Sequence, residues 1–291
     1  MHRILRKEDL TPSVHLLEIE APAIARKAKA GQFVMVRLDE AGERIPLTLA
    51  DWAPQAGSIT LVFLEVGRET NMLAKLCAGD YLTDVAGPLG QPTHIEKFGT
   101  VVCVGGGVGV AAIAPIARSM NEAGNRVVSI MGARSSNLLF WEDRLKSVSH
   151  EFIVITDDGS HGRHGVVTQP LKEVLERAPG PDRVIAIGPA VMMKFCALTA
   201  RPFSVKTIVS LNPIMVDGTG MCGSCRVSVA GQTRFACLDG PDFDAQDVDW
   251  DLLLNRLRTY ADKEKQALEM WRRQCASAPA REGESSGHAQ G

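Results

Sequence analysis

The chain lacks any apolar run long enough to cross a membrane, because none reaches the ~18–20 residues that a transmembrane helix needs. It also lacks an excess of charge of one sign: 34 acidic and 32 basic residues leave a net charge of −2. A nucleic-acid partner is therefore not expected. The opening MHRILRKEDL lacks the apolar core of a secretory signal. We therefore expect a cytoplasmic protein without a membrane span.

The cysteines do not suit a disulfide framework. There are seven, an odd number, in a chain of 291 residues without an export signal. Cys77, Cys103 and Cys196 lie in apolar surroundings, whereas Cys222, Cys225 and Cys237 lie close together in the sequence. This second group is where metal chemistry is expected.

Residues 1–97 read as short strands. The β-rich runs VHLLEIEAP, GQFVMVRL, GSITLVFLEV and DYLTDVAGPLG are bounded by Gly, Pro and Asp, and only TNMLAKLCAG reads as a short helix. This pattern predicts a small antiparallel β-barrel.

Residues 98–205 alternate between strands and helices. The buried-type runs TVVCVGG, RVVSIMGA, EFIVITDD and RVIAIGP are followed by the predicted helices VAAIAPIARSMNEAG, SNLLFWEDRLKSV, VTQPLKEVLERA and AVMMKFCALTARP. Such alternation predicts an α/β domain with a parallel sheet.

The remaining residues predict a small third unit and a C-terminal arm. Residues 206–250 are rich in glycine and carry the three clustered cysteines, with a hairpin expected about SVAGQTRFA. In residues 251–291, DLLLNRLRTYADKEKQALEMWRRQ predicts one amphipathic helix, and SAPAREGESSGHAQG has the composition of a disordered tail.

The first motif is Asp217-x4-Cys222-x2-Cys225-x11-Cys237. Its spacing is that of a plant-type [2Fe–2S] site, with Asp217 where the first cysteine would stand. Glycines around the cysteines let backbone N–H groups approach the sulfurs. A zinc knuckle and purely structural cysteines are the alternatives, and Asp217 in DGTG could be only a turn residue. The spacing favours a cluster.

Two further segments point to a dinucleotide on the barrel. In RIPLTLAD, Arg44 beside the hydroxyl of Thr48 could hold a pyrophosphate, and in EVGRETNML, Gly67 and Thr70 precede a short helix. An edge-strand proline and an ordinary helix cap are the alternatives.

A glycine run joins the first strand and helix of the α/β domain. In VCVGGGVGVAAIAPIA the glycines stand at 105, 106, 107 and 109, which is not the strict G-x-G-x-x-G pattern. Such glycines could also serve only tight packing. Because the carboxyl ends of parallel strands form the binding crevice, IMGARS and AIGPAVMM favour a nucleotide site that includes Gly188.

With these motifs in this order, residues 1–250 resemble the ferredoxin–NADP reductase superfamily. The cluster module narrows the resemblance to two groups: the dihydroorotate dehydrogenase electron transfer subunit, and the small subunit of NADH-dependent ferredoxin:NADP oxidoreductase, also called sulfide dehydrogenase. Asp217 favours the second group, in which an aspartate commonly replaces one cluster cysteine. The resemblance implies an FAD-binding antiparallel β-barrel (1–97), an NAD(P)-binding α/β domain (98–205), a [2Fe–2S] module (206–250) and a C-terminal arm (251–291) not needed for these roles.

The resemblance also implies site residues for each cofactor. FAD is expected to contact Arg44, Pro46, Leu47, Thr48, Phe63, Leu64, Glu65, Gly67 and Thr70; NAD(P)H to contact Gly105, Gly106, Gly107, Gly109 and Gly188; and the cluster to bind Asp217, Cys222, Cys225 and Cys237. No catalytic side chain is expected, because the cofactors carry the redox chemistry.

The implied function is that of an electron-transfer flavoprotein subunit. It moves electrons between NAD(P)H, FAD and the cluster, to or from a larger flavin and iron–sulfur partner subunit. The electron transfer subunit of dihydroorotate dehydrogenase, a flavin and cluster redox sensor, and a zinc-stapled module remain as alternatives. Arg134 by itself does not decide between NAD and NADP.

Overall fold

The computed structural model describes residues 1–277. Its first sheet is antiparallel and has the strand order β6-β1-β2-β5-β4-β3-β7. The strands are β1 (His2–Thr11), β2 (Val14–Glu20), β3 (Phe33–Arg37), β4 (Arg44–Ala53), β5 (Ser58–Leu64), β6 (Tyr81–Leu82) and β7 (Asp84–Leu89), with the helices α1 (Pro22–Ala25) and α2 (Arg68–Leu73). The sheet curls around buried side chains such as Ile4, Val34 and Leu61. The predicted antiparallel barrel is confirmed. The one short helix predicted in TNMLAKLCAG overlaps α2, whereas α1 was not predicted.

The second sheet is mostly parallel and has the order β11-β10-β9-β8-β12-β13-β16. Its strands are β8 (Thr100–Gly106), β9 (Arg126–Ala133), β10 (Glu151–Thr156), β11 (Arg163–His164), β12 (Arg183–Ile187), β13 (Lys206–Ser210) and β16 (Asp242–Asp244), and the helices between β8 and β13 are α3 (Gly109–Glu122), α4 (Glu142–Ser147), α5 (Thr168–Leu175) and α6 (Ala190–Ala200). The predicted α/β domain with a parallel sheet is confirmed.

One predicted helix of this domain is shorter than expected. The segment SNLLFWEDRLKSV forms a 3-10 turn, Ser136–Leu138, and then α4. Trp141 between them has a φ of 59°, in the left-handed region, so a continuous right-handed helix cannot pass through it.

The third unit shares its framework with the second sheet. Its hairpin consists of β14 (Arg226–Val229) and β15 (Gln232–Phe235), joined by Ala230 and Gly231 at positive φ, as a tight hairpin turn requires. A short helix α7 (Ala236–Asp239) follows, and then β16 (Asp242–Asp244) pairs antiparallel with β13. The α/β sheet therefore takes two strands from residues 206–250, and the division of the chain at residue 205 stays a prediction.

The C-terminal arm contains two helices, where the sequence predicted one. They are α8 (Trp250–Leu257) and α9 (Ala261–Ser277). The first packs on the third unit, where Arg256 Nη2 donates to Ser224 O at 3.0 Å. The second lies against the barrel, where Lys75 Nζ is 4.3 Å from the centre of a Trp271 ring. The two helices of the arm therefore contact different surfaces. The predicted disordered tail falls on residues 278–291, which lie outside the described residues.

The barrel and the α/β domain share a hydrophobic core. Leu16, Ala50 and Val62 of the barrel pack with Ile113 and Ile116 of α3. This contact fixes the first helix of the nucleotide domain against the strand that carries RIPLTLAD. Within residues 1–277, no helix has the length and apolar character that a bilayer span requires.

Candidate functional site

The cysteine loop connects β13 to β14 and is shaped by glycine. Gly218 and Gly220 have φ of 78° and 84°, in the region that disfavours other residues. A side chain at Gly218 would collide with Met35 and Leu89, and one at Gly220 with Leu238. The loop therefore lies directly on β3 of the barrel. Because Met35 pairs with Pro46, the loop is one strand away from the segment predicted to bind FAD.

Two of the three clustered thiols meet. Cys225 Sγ and Cys237 Sγ are 3.2 Å apart, and each residue is only 2% exposed. Burial, together with the neighbouring Cys225 thiol, raises the pKa of Cys237 to about 12. A pair of soft sulfur donors at this distance, with Cys225 at the end of the glycine-lined loop and Cys237 in α7, has the chemistry to hold an iron–sulfur centre.

Cys222 and Asp217 lie in the same loop but make other contacts. Cys222 is exposed, and its Sγ is 3.1 Å from Ser224 Oγ, a hydrogen bond that lowers the pKa of the thiol. Asp217 Oδ2 accepts from the backbone N–H of Cys222 at 2.8 Å, and Oδ1 accepts from Thr219. The backbone N–H of Thr219 is the main cause that lowers the pKa of Asp217.

These contacts do not form a complete metal site. Nowhere in residues 1–277 do three or more His, Cys, Asp or Glu side chains gather closely enough to hold a metal ion. The four predicted cluster ligands lie in one part of the structure, and the only two of their side chains in contact with each other are those of Cys225 and Cys237. Their donor types, three thiols and one carboxylate, fit a cluster.

The first predicted FAD segment lies on β4 beside β3. Arg44 is exposed, and its Nη2 is 3.8 Å from Asp84 Oδ2. Thr48 pairs with Phe33 and is half-buried. The side chains of Leu47 and Phe63 lie in the barrel core, so these two could meet a flavin only through their backbone.

The second predicted FAD segment is a turn closed by Thr70. Its Oγ1 accepts from the backbone N–H groups of Val66 and Gly67, both at 3.0 Å. Just before the turn, Leu64 ends β5, and Glu65 Oε1 is 2.7 Å from His15 Nε2. Gly67 is therefore the N-cap of α2, and Thr70, the third residue of the helix, closes the turn through its hydroxyl rather than acting as the N-cap itself.

The glycine run at the end of β8 serves two purposes. A side chain at Gly109 would collide with Ile187 O and with Gly188, so this glycine permits close approach of α3 and β12. Gly105 and Gly106 are packed in the same way, by Ile113 and Met192 respectively. By contrast, Gly107 has a φ of 54° and nothing within 4 Å of where a side chain would begin. Packing thus explains most of the run, and Gly107 faces open space.

The open space lies at the switch point of the parallel sheet. The chain leaves β8 towards β9 on one side and returns to β12 on the other, so the binding crevice of such a sheet is expected at the carboxyl ends of β8 and β12. Gly107 follows β8 and Gly188 follows β12, but a side chain at Gly188 would collide with Met192.

One feature of the site had no sequence signal. Asp51, near the end of β4, accepts from Arg118 Nη1 of α3 at 3.0 Å and also pairs with Arg144 of α4. The partners are 67 and 93 residues away in the chain, so nothing local predicts the contact.

The comparisons with known proteins agree with this geometry. Residues 212–249 match the profile of a family described as the iron–sulfur cluster binding domain of dihydroorotate dehydrogenase B. A Thermotoga maritima protein named as a homolog of the dihydroorotate dehydrogenase B (NAD(+)) electron transfer subunit is 48% identical over 269 residues, covering 92% of this chain and 95% of that protein. The Shouchella clausii electron transfer subunit is 32% identical, covering 84% of this chain and 96% of its own length.

Solved structures of related proteins resemble this chain as well. A chain from a structure of the NADH-dependent reduced ferredoxin-NADP oxidoreductase, described for flavin-based electron bifurcation, has a TM-score of 0.88 at 47% identity, covering 93% of this chain and 98% of that one. A ferredoxin NADP+ reductase from Neisseria gonorrhoeae with bound FAD and NADP shares the fold, with a TM-score of 0.56 at 19% identity over 70% of this chain and 90% of that one. The predicted resemblance is confirmed: this chain belongs to the family of dihydroorotate dehydrogenase B electron transfer subunits and their homologues, on the fold of the ferredoxin–NADP reductases.

Proposed function

We propose that this chain is the electron-transfer subunit of a cytoplasmic NAD(P)H-dependent oxidoreductase of the ferredoxin:NADP oxidoreductase type. It passes electrons between NAD(P)H, FAD and a [2Fe–2S] cluster, to or from a larger flavin and iron–sulfur subunit. The observation that carries the proposal is the placement of the cysteine loop on β3, where Gly218 touches Met35 one strand from Pro46. Electron transfer needs such proximity between the cluster and the flavin.

When bound, FAD accepts two electrons as a hydride and releases them singly, and the cluster carries one electron at a time. The residues of the chain bind and orient these cofactors. Arg44, Pro46, Leu47, Thr48, Phe63, Leu64, Glu65, Gly67 and Thr70 are proposed to hold FAD, and Gly105, Gly106, Gly107, Gly109 and Gly188 to line the nicotinamide nucleotide site. Asp217, Cys222, Cys225 and Cys237 are proposed to hold the cluster.

We further propose the division of labour along the chain. Residues 1–97 bind FAD, residues 98–205 bind the nucleotide, and residues 206–250 carry the cluster. The arm, residues 251–291, takes no part in cofactor binding.

The surface around the cysteine loop supports a protein partner there. Val216, Met221 and Leu238 are exposed apolar side chains on and beside the loop that carries Cys222. Exposed apolar groups that cluster together are typical of an interaction surface. The larger subunit would cover them and come within electron-transfer distance of the cluster.

The second candidate is the electron transfer subunit of dihydroorotate dehydrogenase. The names of the relatives favour it, and so does the matched cluster domain. Asp217 at the position of the first cluster cysteine favours the ferredoxin:NADP type instead. The partner that co-purifies with the chain from its native host distinguishes the two: a larger flavin and iron–sulfur subunit, or a dihydroorotate dehydrogenase catalytic chain.

The direct test is cofactor analysis followed by rapid kinetics. The full chain, produced anaerobically with iron, is expected to contain FAD, iron and acid-labile sulfide. Addition of NADH should reduce the flavin within seconds, and the cluster should then give an electron paramagnetic resonance (EPR) signal. Zinc in place of iron would support the stapled-module alternative. Flavin that NADH does not reduce would support the redox sensor.

A further inference from the structure

The carboxylate of Asp51 joins the barrel to two helices of the α/β domain. Its Oδ1 accepts from Arg118 Nη1 at 3.0 Å and from the backbone N–H of Trp52 at 3.0 Å, and its Oδ2 accepts from Arg144 Nη2. One carboxylate therefore holds two guanidinium groups, one on α3 and one on α4.

Each guanidinium is also held by an aromatic ring. Arg118 Cζ lies 5.4 Å from the centre of a Trp52 ring, and Arg144 Cζ lies 4.2 Å from a Trp141 ring. Trp141 adopts its left-handed backbone conformation next to this contact. Cation–π contacts of this kind fix the direction of a guanidinium as well as its position.

The group formed by Asp51, Arg118 and Arg144, called the domain joint below, is partly buried. The side chains of Asp51, Arg118 and Arg144 are 23%, 33% and 36% exposed. Desolvation by burial lowers the pKa of Arg144. Charges in such a setting are screened less than those of a surface ion pair, so their geometry is held more firmly.

The joint also lies between the two candidate cofactor sites. Asp51 is on the strand that carries Arg44 to Thr48, and Arg118 is on the helix that begins at Gly109, the last glycine of the nucleotide loop. The flavin segment and the nucleotide loop are thus linked through one carboxylate and one helix.

We propose that Asp51 is a positioning residue for hydride transfer: through Arg118 and Arg144 it sets the spacing between the flavin strand and the nucleotide loop. This inference rests on the proposed function. In the reaction, the C4–H bond of the dihydronicotinamide breaks, and the hydride, with both electrons, forms a bond to flavin N5. The nicotinamide is oxidised and the flavin is reduced. The two rings are bound by different domains, so the domain joint decides whether they meet within the ~3–3.5 Å that reaction requires.

The test compares Asp51→Asn with the wild type, each as the full chain loaded with FAD and cluster. Under anaerobic stopped-flow conditions, the limiting rate of flavin reduction by NADH is expected to fall ~10- to 100-fold, because small misplacements of reacting groups have effects of this size. The dissociation constant of NADH should change less than threefold. The long-wavelength charge-transfer absorbance of the NADH–flavin complex should weaken.

A matched control removes the same charge elsewhere. Glu173→Gln breaks the ion pair with Arg163, which lies wholly inside the α/β domain. It should leave the rate and the charge-transfer band at wild-type values.

Asp51→Glu, which keeps the charge, should recover most of the rate. Trp52 and Trp141 are two of four tryptophans, so a shift of tryptophan emission in Asp51→Asn reports the loosened joint without turnover.

Two results would overturn the inference: a wild-type rate with a wild-type charge-transfer band in Asp51→Asn, or an equal fall in Glu173→Gln. If Asp51→Asn does not fold, Arg118→Gln is measured in the same way, and a wild-type rate there overturns the inference too. If NADH does not reduce the flavin of the wild-type protein, the proposed function itself is overturned. This outcome is distinct from a failure of the inference about Asp51.

Discussion

The sulfur atoms of Cys225 and Cys237 lie 3.2 Å apart, although the two cysteines are twelve positions apart in the chain. The β14–β15 hairpin closes this gap, because it pairs Arg226 with Phe235 and so returns the chain to its starting point. The pair is the buried part of the proposed cluster site, and Cys222 is its exposed part.

Cys225→Ser is expected to abolish the cluster and to retain FAD. The thiolate is the softer ligand, and a buried hydroxyl does not replace it on iron. Iron, sulfide and FAD contents check this, together with the EPR spectrum of the reduced protein. Cys77→Ser, at an exposed thiol of the barrel, is the control and should keep all three. A full complement of iron and sulfide in Cys225→Ser would contradict the ligand assignment.

Asp217→Cys is expected to keep the cluster and to change its properties. A carboxylate is a harder ligand than a thiolate, so its replacement should shift the EPR g-values and the midpoint potential. Redox titration followed by EPR measures both quantities. If neither quantity changes, Asp217 is not a cluster ligand. Its role is then to stabilise the turn by accepting hydrogen bonds from Thr219 and Cys222.

Arg44→Ala is expected to weaken FAD binding about 10- to 100-fold, the value of one or two hydrogen bonds to a charged group. Titration of FAD into the flavin-free protein, followed by flavin fluorescence, measures the dissociation constant. Asp84→Asn removes the weak 3.8 Å ion pair of Arg44 but keeps its guanidinium, and should bind FAD as the wild type does. Equal weakening in both variants would place the effect in the ion pair rather than in a contact with FAD.

Gly107→Ala is expected to raise the dissociation constant of NADH while the protein stays folded. The added methyl group meets no protein atom within 4 Å, so it projects into the crevice where the phosphate is proposed to lie. Gly231→Ala is the matched control, since Gly231 also has positive φ and open space but belongs to the β14–β15 turn. Both variants should lose about 1–2 kcal/mol of stability from backbone strain. Only Gly107→Ala should lose NADH affinity, and equal affinities would contradict the assignment.

Asp242 is expected to make stability depend on pH. Desolvation of the carboxyl group raises its pKa to about 6, although Thr93 Oγ1 donates to its Oδ2 at 2.6 Å. The unfolded chain releases this proton near pH 4 and the folded chain only near pH 6. The free energy of unfolding of the wild type, relative to Asp242→Asn, should therefore fall as pH rises through this window, by up to about 3 kcal/mol. Denaturant unfolding of both proteins at pH 4.5 and pH 7 measures the difference, and a pH-independent difference would contradict it.

The sequence by itself determined the three kinds of unit and the motifs they carry. Short β-rich runs bounded by Gly, Pro and Asp predicted the barrel strands, and buried-type runs that alternate with helical segments predicted the parallel sheet, because both signals depend on near neighbours in the chain. The same holds for the spacing of the cysteines, which is a property of one short loop. Where a local conformation was unusual, as at Trp141, the predicted helix was too long.

Only the tertiary structure decided which residues meet. It placed Cys225 against Cys237, brought Met35 under the cysteine loop, and gave Asp51 two arginines from distant helices. It also divided the C-terminal arm into α8 and α9, because each half packs on a different surface. Contacts between residues far apart in the chain depend on how whole sheets and helices pack, and no local pattern of residue types carries that information.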